Sequence, residues 1–318
     1  MTRFLRLIAI LATTTLAVLT LALTVASVRS LHALTYGAVN SQGTSGIYIY
    51  DIRTSISHPL LDQPHINEMS PRWSPDGTQL LFMWRHRIDS SFYVWRPGEA
   101  DAVRVLDSDR ITGPRLFWSY DGDALMWQSS TGLAVVPLTS VSISNQEMDL
   151  PSRHISVFPS GPGNFVVVDR ASESGTWPIY KYHMADHTIT PLVPEPPCPS
   201  AYTLSVNDNP MGEVLAVYCE DTGPLYRVNL TSGNVHTVTD ALTGTNQLGQ
   251  WSDDGAYLIT QHTAAARRSD FARVRQYRVI HTQTGVITPV LERTPTINTL
   301  ETTVFGVDWL PEAALDAR

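Results

Sequence analysis

The residue types that carry chemistry are present in this chain, but their spacing rarely assembles them into a reactive set. Three acids recur in the same setting. Asp76, Asp121 and Asp254 each follow a Trp by three residues and precede a Gly, in Trp73-Ser74-Pro75-Asp76-Gly77, Trp118-Ser119-Tyr120-Asp121-Gly122 and Trp251-Ser252-Asp253-Asp254-Gly255. An acid that bonds its own backbone beside a Gly able to take φ > 0 is turn chemistry. These Asp, Trp and Gly residues are therefore expected to be structural and not catalytic. His183 and His187 have the spacing of a helical metal pair, but Ala185-Asp186 reads as a turn between strands, which separates the two rings. Asp107-Ser108-Asp109 and Asn207-Asp208-Asn209 resemble pieces of calcium loops and lack the glutamate that would close one. The chain has no Gly-x-Ser-x-Gly elbow, no His-Glu-x-x-His and no phosphate-binding Gly loop. No metal or cofactor is expected.

Three further features have binding chemistry. Arg267, Arg268, Arg273, Arg275 and Arg278 concentrate positive charge in a chain of net charge −8. They read either as a solvated loop and strand edge or as a patch that recognises anions. Arg85-His86-Arg87 and Trp177 fall in connections between strands, where Arg and aromatic residues serve as contacts. Cys198 and Cys219 are the two cysteines, too far apart for a Cys-x-x-Cys site. One precedes an apolar strand and the other ends the next strand, so a tight reversal brings them near each other. A disulfide is expected, the alternative being two buried thiols. Asn229-Leu230-Thr231 fits the short N-glycosylation pattern.

The elements that must position these residues form a repeat. The Trp-turn motif has worn copies at Phe158-Pro159-Ser160-Gly161 and Val206-Asn207-Asp208-Asn209, and anchors 73, 118, 158, 206 and 251 lie 40 to 48 residues apart. That is the period of a four-stranded propeller blade. A second motif, apolar-Tyr-x-apolar, marks third strands at Ile47-Tyr48-Ile49-Tyr50, Phe92-Tyr93-Val94-Trp95, Ile179-Tyr180-Lys181-Tyr182, Leu225-Tyr226-Arg227-Val228 and Gln276-Tyr277-Arg278-Val279, with a degenerate copy at Leu133 to Val136. This motif has six copies against five internal Trp motifs. The C-terminal Val304-Phe305-Gly306-Val307-Asp308-Trp309 supplies the missing first strand. The expectation is an all-β, six-bladed propeller of four-stranded antiparallel blades, closed by the C-terminal strand and preceded by one N-terminal hydrophobic helix. The longer connections gather at one end of the ring: 85–91, 171–178 and 261–272 between second and third strands, and 62–70, 193–200 and 292–302 between blades. Binding resides in such connections.

Composition and the N-terminus add context. The chain is 43% hydrophobic and 16% charged, with Lys nearly absent. Its acidic balance argues against nucleic-acid binding. Leu7 to Val28 is uncharged and follows Arg3 and Arg6. As a helix it would reach roughly 33 Å, one hydrocarbon core. Residues 1–33 read as a cytoplasmic stub and signal-anchor with residues 34–318 outside, the alternative being a signal peptide cleaved near Val25-Ala26-Ser27. The protein is thus expected at the cell membrane, single-pass, with its propeller on the extracytoplasmic side.

In its Trp-Ser-Pro-Asp-Gly turn and the following Ile-Tyr strand, the chain resembles the TolB-like propeller family. The resemblance covers nearly everything after residue 33. Trp73 to Gly77 matches in full, the copies at 118 and 251 keep Trp, Ser, Asp and Gly, and those at 158 and 206 have lost the Trp. TolB also carries an N-terminal α/β domain for which this sequence leaves no room, so a true TolB is not expected. The resemblance implies an extracytoplasmic propeller that recognises another protein. Two functions follow as expectations. The first is a non-catalytic binding module for an envelope or secreted protein, or for a small ligand in the channel. The second is a propeller hydrolase or lyase with its site at the channel mouth.

Overall fold

The computed structural model describes residues 33–39, 45–61, 67–86, 89–107, 116–128, 132–139, 144–147, 155–169, 178–193, 198, 202–206, 214–219, 223–240, 242, 245–252, 254–263, 275–291, 303–311 and 314. Their strands form six four-stranded antiparallel sheets. Blade 1 joins β24 (Thr303–Trp309) to β1 (Ala33–Val39), β2 (Ser45–Asp51) and β3 (Ile56–Leu61). Blade 2 is β4 (Asn67–Trp73), β5 (Leu80–His86), β6 (Asp89–Trp95) and β7 (Val103–Asp107). Blade 3 is β8 (Leu116–Trp118), β9 (Ala124–Gln128), β10 (Gly132–Pro137) and β11 (Ser144–Glu147). Blade 4 is β12 (Ile155–Gly161), β13 (Asn164–Asp169), β14 (Ile179–His183) and β15 (Thr188–Val193). Blade 5 is β16 (Tyr202–Val206), β17 (Val214–Cys219), β18 (Leu225–Asn229) and β19 (Val235–Thr239). Blade 6 is β20 (Thr245–Trp251), β21 (Tyr257–Thr263), β22 (Arg275–His281) and β23 (Ile287–Val290).

The ring closes as the strand count requires. The C-terminal β24 pairs antiparallel with β1, from Leu34 opposite Trp309 to Val39 opposite Thr303. Six apolar clusters then fill the six interfaces between successive blades, including the seam between blades 6 and 1, where Ile259 and Val279 meet Leu34, Tyr36 and Trp309. Strand alternation explains how one sheet serves two interfaces. In β5, Leu80 and Phe82 pack toward blade 1, while Leu81 packs toward blade 3. In β17, Leu215 and Val217 pack toward blade 4, while Val214 and Ala216 pack toward blade 6. Inner strands buried on both faces read as near-continuous apolar runs for this reason.

The first-strand Trp residues sit between blades and latch them. Trp73 lies in the 1–2 cluster, Trp118 in 2–3, Trp251 in 5–6 and Trp309 in 6–1. The Trp118 indole donates to the Arg72 carbonyl at 3.1 Å, and the Trp309 indole donates to the Gln250 carbonyl at 3.1 Å. Each accepting residue immediately precedes the first-strand Trp of the preceding blade. Trp73 instead donates to Thr35 Oγ1 at 2.9 Å.

Two register readings need correction. Phe158 was expected in the Trp position, but it pairs with Val166 and packs toward blade 5. Val157 is the first-strand residue in the 3–4 cluster. Tyr277 was expected to match the other third-strand tyrosines, but its neighbour Arg278 takes their register and Tyr277 packs toward blade 1. In both places the worn motif slips by one residue, which turns every side chain to the other face. Val206, by contrast, pairs with Leu215 as Trp73 pairs with Leu80.

The outer strands carry a device that the motifs do not show. In blades 1, 2, 4 and 5 the pairing of third and fourth strands skips one residue, at Leu60, Val105, Leu192 and Val238 respectively. Each extra residue is apolar and packs against an inter-blade cluster. A bulge of this kind bends and twists the edge. Pro59, Pro191 and Pro289 further blunt these exposed edges.

Candidate functional site

The recurring acids are consumed by the turns. In all three full motifs the Ser hydroxyl donates to the Asp carboxylate, at 2.6 Å for Ser74–Asp76, 2.5 Å for Ser119–Asp121 and 2.6 Å for Ser252–Asp254. The same hydroxyl accepts from the backbone N–H five residues on, at Gln79, Ala124 and Tyr257. Gly77, Gly122 and Gly255 donate to the Ser carbonyl, with φ of 72°, 74° and 65°. Burial pushes the Asp76 carboxyl up, but the Ser74 and Thr78 donors outweigh it and hold it below the usual range. For Asp121 the Ser119 hydroxyl is the main cause of the same depression. A carboxylate so placed is a fixed acceptor, already ionised and poorly suited to proton transfer.

The turns between third and fourth strands repeat a second pattern. Asp51 Oδ1 accepts from Arg53 and Thr54 N–H, Asn229 Oδ1 from Thr231 and Ser232 N–H, and His281 Nδ1 from Gln283 and Thr284 N–H. Asn229 therefore holds a turn, which is a structural reason for the residue in the glycosylation-like pattern. His183 and His187 lie on the equivalent turn of blade 4 and have different partners. His183 Nδ1 is 2.9 Å from Asp186 Oδ1, and His187 Nδ1 is 2.8 Å from the Tyr182 hydroxyl. The His183 contact, with Thr188, pushes the Asp186 carboxyl down to about 2. Among the described residues no group of three His, Cys, Asp or Glu could hold a metal ion.

Cys198 and Cys219 are bonded, with Cα atoms 5.4 Å apart. Both are buried in the cluster between blades 4 and 5. The bond ties the approach to β16 to the end of β17, opposite Tyr202.

At the end of the ring with the longer connections, Arg85 and His86 close β5, and His86 pairs with Asp89. The segment 85–91 was expected to be a long connection. It is a hairpin whose strands continue to His86 and resume at Asp89. Similarly, Asn67 to Ser70 belong to β4 and not to the connection before it. Arg87, Trp177, Arg267 and Arg268 lie outside the described residues. Arg275 begins β22 and Arg278 lies within it. The described rim next to Arg85 is aromatic and polar. Trp84 meets Tyr93 edge-on at 5.0 Å, Ser91 donates to Asp107 at 3.0 Å, and Arg104 pairs with Asp107.

One acid was missed by the motif reading. Asp308 is buried, and its carboxylate accepts from Trp73 N–H at 2.7 Å and Trp309 N–H at 2.9 Å. It clamps the first strands of blades 1 and 2 across 235 positions of sequence. The available signal was an Asp immediately before the closing Trp, where the other copies carry Arg72, Phe117 and Gln250.

A closed ring of six four-stranded blades, four of them with a Trp at the end of the first strand, defines a six-bladed β-propeller. Solved structures place it more narrowly. TolB from Acinetobacter baumannii matches with TM-score 0.62 and 15% identity, over 88% of this chain and 67% of that one. A TolB-type protein from Agrobacterium tumefaciens matches with TM-score 0.53 and 15% identity, over 88% and 99%. A chain from a nidogen/laminin complex matches with TM-score 0.57 and 10% identity, over 86% and 97%. The fold is that of the TolB propellers. No family model and no curated protein sequence matches the chain.

Proposed function

We propose that this protein is a non-catalytic binding module: a membrane-anchored, extracytoplasmic propeller that presents one end of its ring to a protein partner. The observation that carries this reading is the asymmetry between the two ends. At one end the polar groups of the turns satisfy one another, through Ser74, Asp76, Ser119, Asp121, Ser252, Asp254 and Asn229. At the other end the strands are joined by segments 170–178, 194–201, 264–274 and 291–302. Those segments carry Trp177 and the Arg267-Arg268 pair. Polar groups already paired with each other have little to offer a partner, whereas long connections on a rigid scaffold are the usual seat of recognition. The fold likeness to TolB structures and to a chain of a nidogen/laminin complex is compatible with protein binding in general.

Anchoring rests on the uncharged run Leu7 to Val28. Among the described residues no helix is long and apolar enough to cross a membrane. Carbonate washing of membranes tests the anchor: the protein should stay in the pellet, and release into the supernatant would favour a cleaved signal. Binding is tested with the full chain in detergent, comparing partner capture by two variant sets. Trp177→Ala with Arg267→Ala and Arg268→Ala should abolish capture, while Thr231→Ala with Ser232→Ala should not. Equal capture by both sets would exclude the long-connection end as the docking face.

A further inference from the structure

The interface between blades 5 and 6 departs from the other five at matched positions. Counted from the first-strand pairings, one position of the third strand is Tyr48, Tyr93, Ala134, Tyr180 or Tyr226 in blades 1 to 5. Its second-strand partners are Tyr36, Phe82, Trp127, Val167 and Val217. All ten side chains pack against the preceding blade. Blade 6 puts Arg278 opposite Thr260 at this position. The facing surface of blade 5 departs as well. The third-strand residue that looks toward the next blade is Ile49, Val94, Val135 or Val279 in blades 1, 2, 3 and 6, and each packs in that interface. In blade 5 it is Arg227, opposite Ala216 of the 5–6 cluster. In blade 4 it is Lys181, but there the facing blade offers Tyr226. Only between blades 5 and 6 do these two positions both carry a cation.

Among the described residues these cations have no acidic counterpart. The ion pairs among the described residues are Arg53–Asp51, Arg96–Glu99, Arg104–Asp107 and His183–Asp186, none of which uses Arg227 or Arg278. Arg227 Nε and Thr260 Oγ1 are buried without a hydrogen-bond partner, and Thr260 is 0% exposed. The bond recorded for Arg278 is a long 3.5 Å contact to Gln276. His262, also buried, faces the same interface two residues from Thr260. Burial first, and Arg278 second, hold its imidazole below its ordinary pKa, so it adds no third charge near neutrality. Two guanidinium groups on one interface, beside an unpaired hydroxyl, cost packing that the other blades keep. Such local departures from a repeat mark function more often than folding, and planar guanidinium forks match the geometry of oxyanions.

We propose that the blade 5–6 interface is an oxyanion site, in which Arg227 and Arg278 take a carboxylate or phosphate-type group above Thr260. The proposal is independent of the binding-module reading, since it concerns anion affinity whatever the partner. It is tested on the full chain in detergent by calorimetric titration with inorganic phosphate and by thermal unfolding, with sodium chloride at equal ionic strength as the control. Saturable, phosphate-specific binding and stabilisation are expected. Arg227→Gln and Arg278→Gln should each weaken binding at least about tenfold, a loss of about 1.4 kcal/mol. Thr260→Val with Arg278→Tyr returns blade 6 to the pairing of its neighbours. This double variant should fold, unfold at a higher temperature than wild type without phosphate, and lose the phosphate response. Displacement of phosphate by a hexaglutamate peptide would assign the site to an acidic chain, and binding without displacement to a free anion. A wild-type response no larger than that to chloride, or a response retained by the double variant, would overturn the proposal.

Discussion

At the scale of the residue, glycines in the turns between third and fourth strands approach the neighbouring blade. Gly285 has φ of 72°, and a Cβ there would stand 2.3 Å from the Val238 carbonyl oxygen of blade 5. Gly233 approaches the Leu192 carbonyl oxygen of blade 4 in the same way, at 2.9 Å. Gly98 has φ of 87° but open space around it. Gly98→Ala should therefore cost only the left-handed strain, about 1–2 kcal/mol. Gly285→Ala should cost clearly more, because the turn must also lift off its neighbour. Urea unfolding of the two variants separates the terms, and equal losses would remove the inter-blade contact from the account. The turn acids give a second residue-scale expectation. Asp76 and Asp121 have folded pKa values below the ordinary 3.8, so their contribution is complete above that value and is lost as pH falls through the folded pKa. Wild-type stability should drop below about pH 4, and Asp76→Asn with Asp121→Asn should flatten that drop. The effect is small, about 1 kcal/mol or less per turn, because both carboxylates are exposed. An unchanged pH profile in the double variant would show that the acid sensitivity arises elsewhere.

At the scale of the element, legibility followed the chemistry of each motif. Trp73-Ser74-Pro75-Asp76-Gly77 could be read directly, because Ser, Asp and Gly are each required by one local hydrogen bond or one φ. The closing strand was readable by counting, since six third-strand motifs need six first strands. Phe158 and Tyr277 misled because a worn repeat no longer states which face a residue takes, and a one-residue slip costs nothing in apparent pattern. The bulges at Leu60, Leu192 and Val238 were hidden for another reason: Thr237-Val238-Thr239 shows no turn residue, the Pro before Leu60 and Leu192 marks an edge and not a skip, and the skip exists only in the pairing with the third strand. Asp308 and the placement of Arg227 and Arg278 on facing sheets depend on a neighbouring blade, which local spacing does not encode. The Cys198–Cys219 bond, at a sequence separation of 21, belongs to this scale too. It spans a reversal whose first strand has Val206 where blade 2 has Trp73. Chain-entropy arithmetic for such a loop gives about 3 kcal/mol. Cys198→Ala with Cys219→Ala should lower stability by roughly that amount in chemical denaturation and raise hydrogen exchange in β16 first. A loss below about 1 kcal/mol would mean that blade 5 is held by its clusters alone.

At the scale of the whole molecule, the ring is a cycle of six interfaces, closed not by chain continuity but by the pairing of β24 with β1 inside blade 1. There the last strand, β24, lies beside the first, β1, in one blade although the two are far apart in the sequence. Closure of this kind leaves no blade face open and covers the inner edge of β1 with β24, while the fourth strands remain as outer edges. It also means that two of the six apolar clusters stay incomplete until the last strand arrives, because the 6–1 cluster needs Val307 and Trp309 and the 1–2 cluster needs Leu310. Asp308 converts this geometry into a lock. Its carboxylate holds Trp73 N–H of blade 2 and Trp309 N–H of its own strand. Asp308→Ala would leave two buried N–H groups without that acceptor, at about 1–3 kcal/mol for each group left unsatisfied. Asp308→Asn keeps an acceptor for one N–H and turns a donor toward the other, so an intermediate loss is expected. The location of the loss is the sharper expectation. Hydrogen exchange should accelerate first in β24 and β4, the two strands that Asp308 bridges, while β9, β13 and β17 keep wild-type protection. Uniform acceleration around the ring would show that Asp308 contributes to overall stability without governing closure, and an unchanged seam would show that the Trp and strand contacts close it unaided.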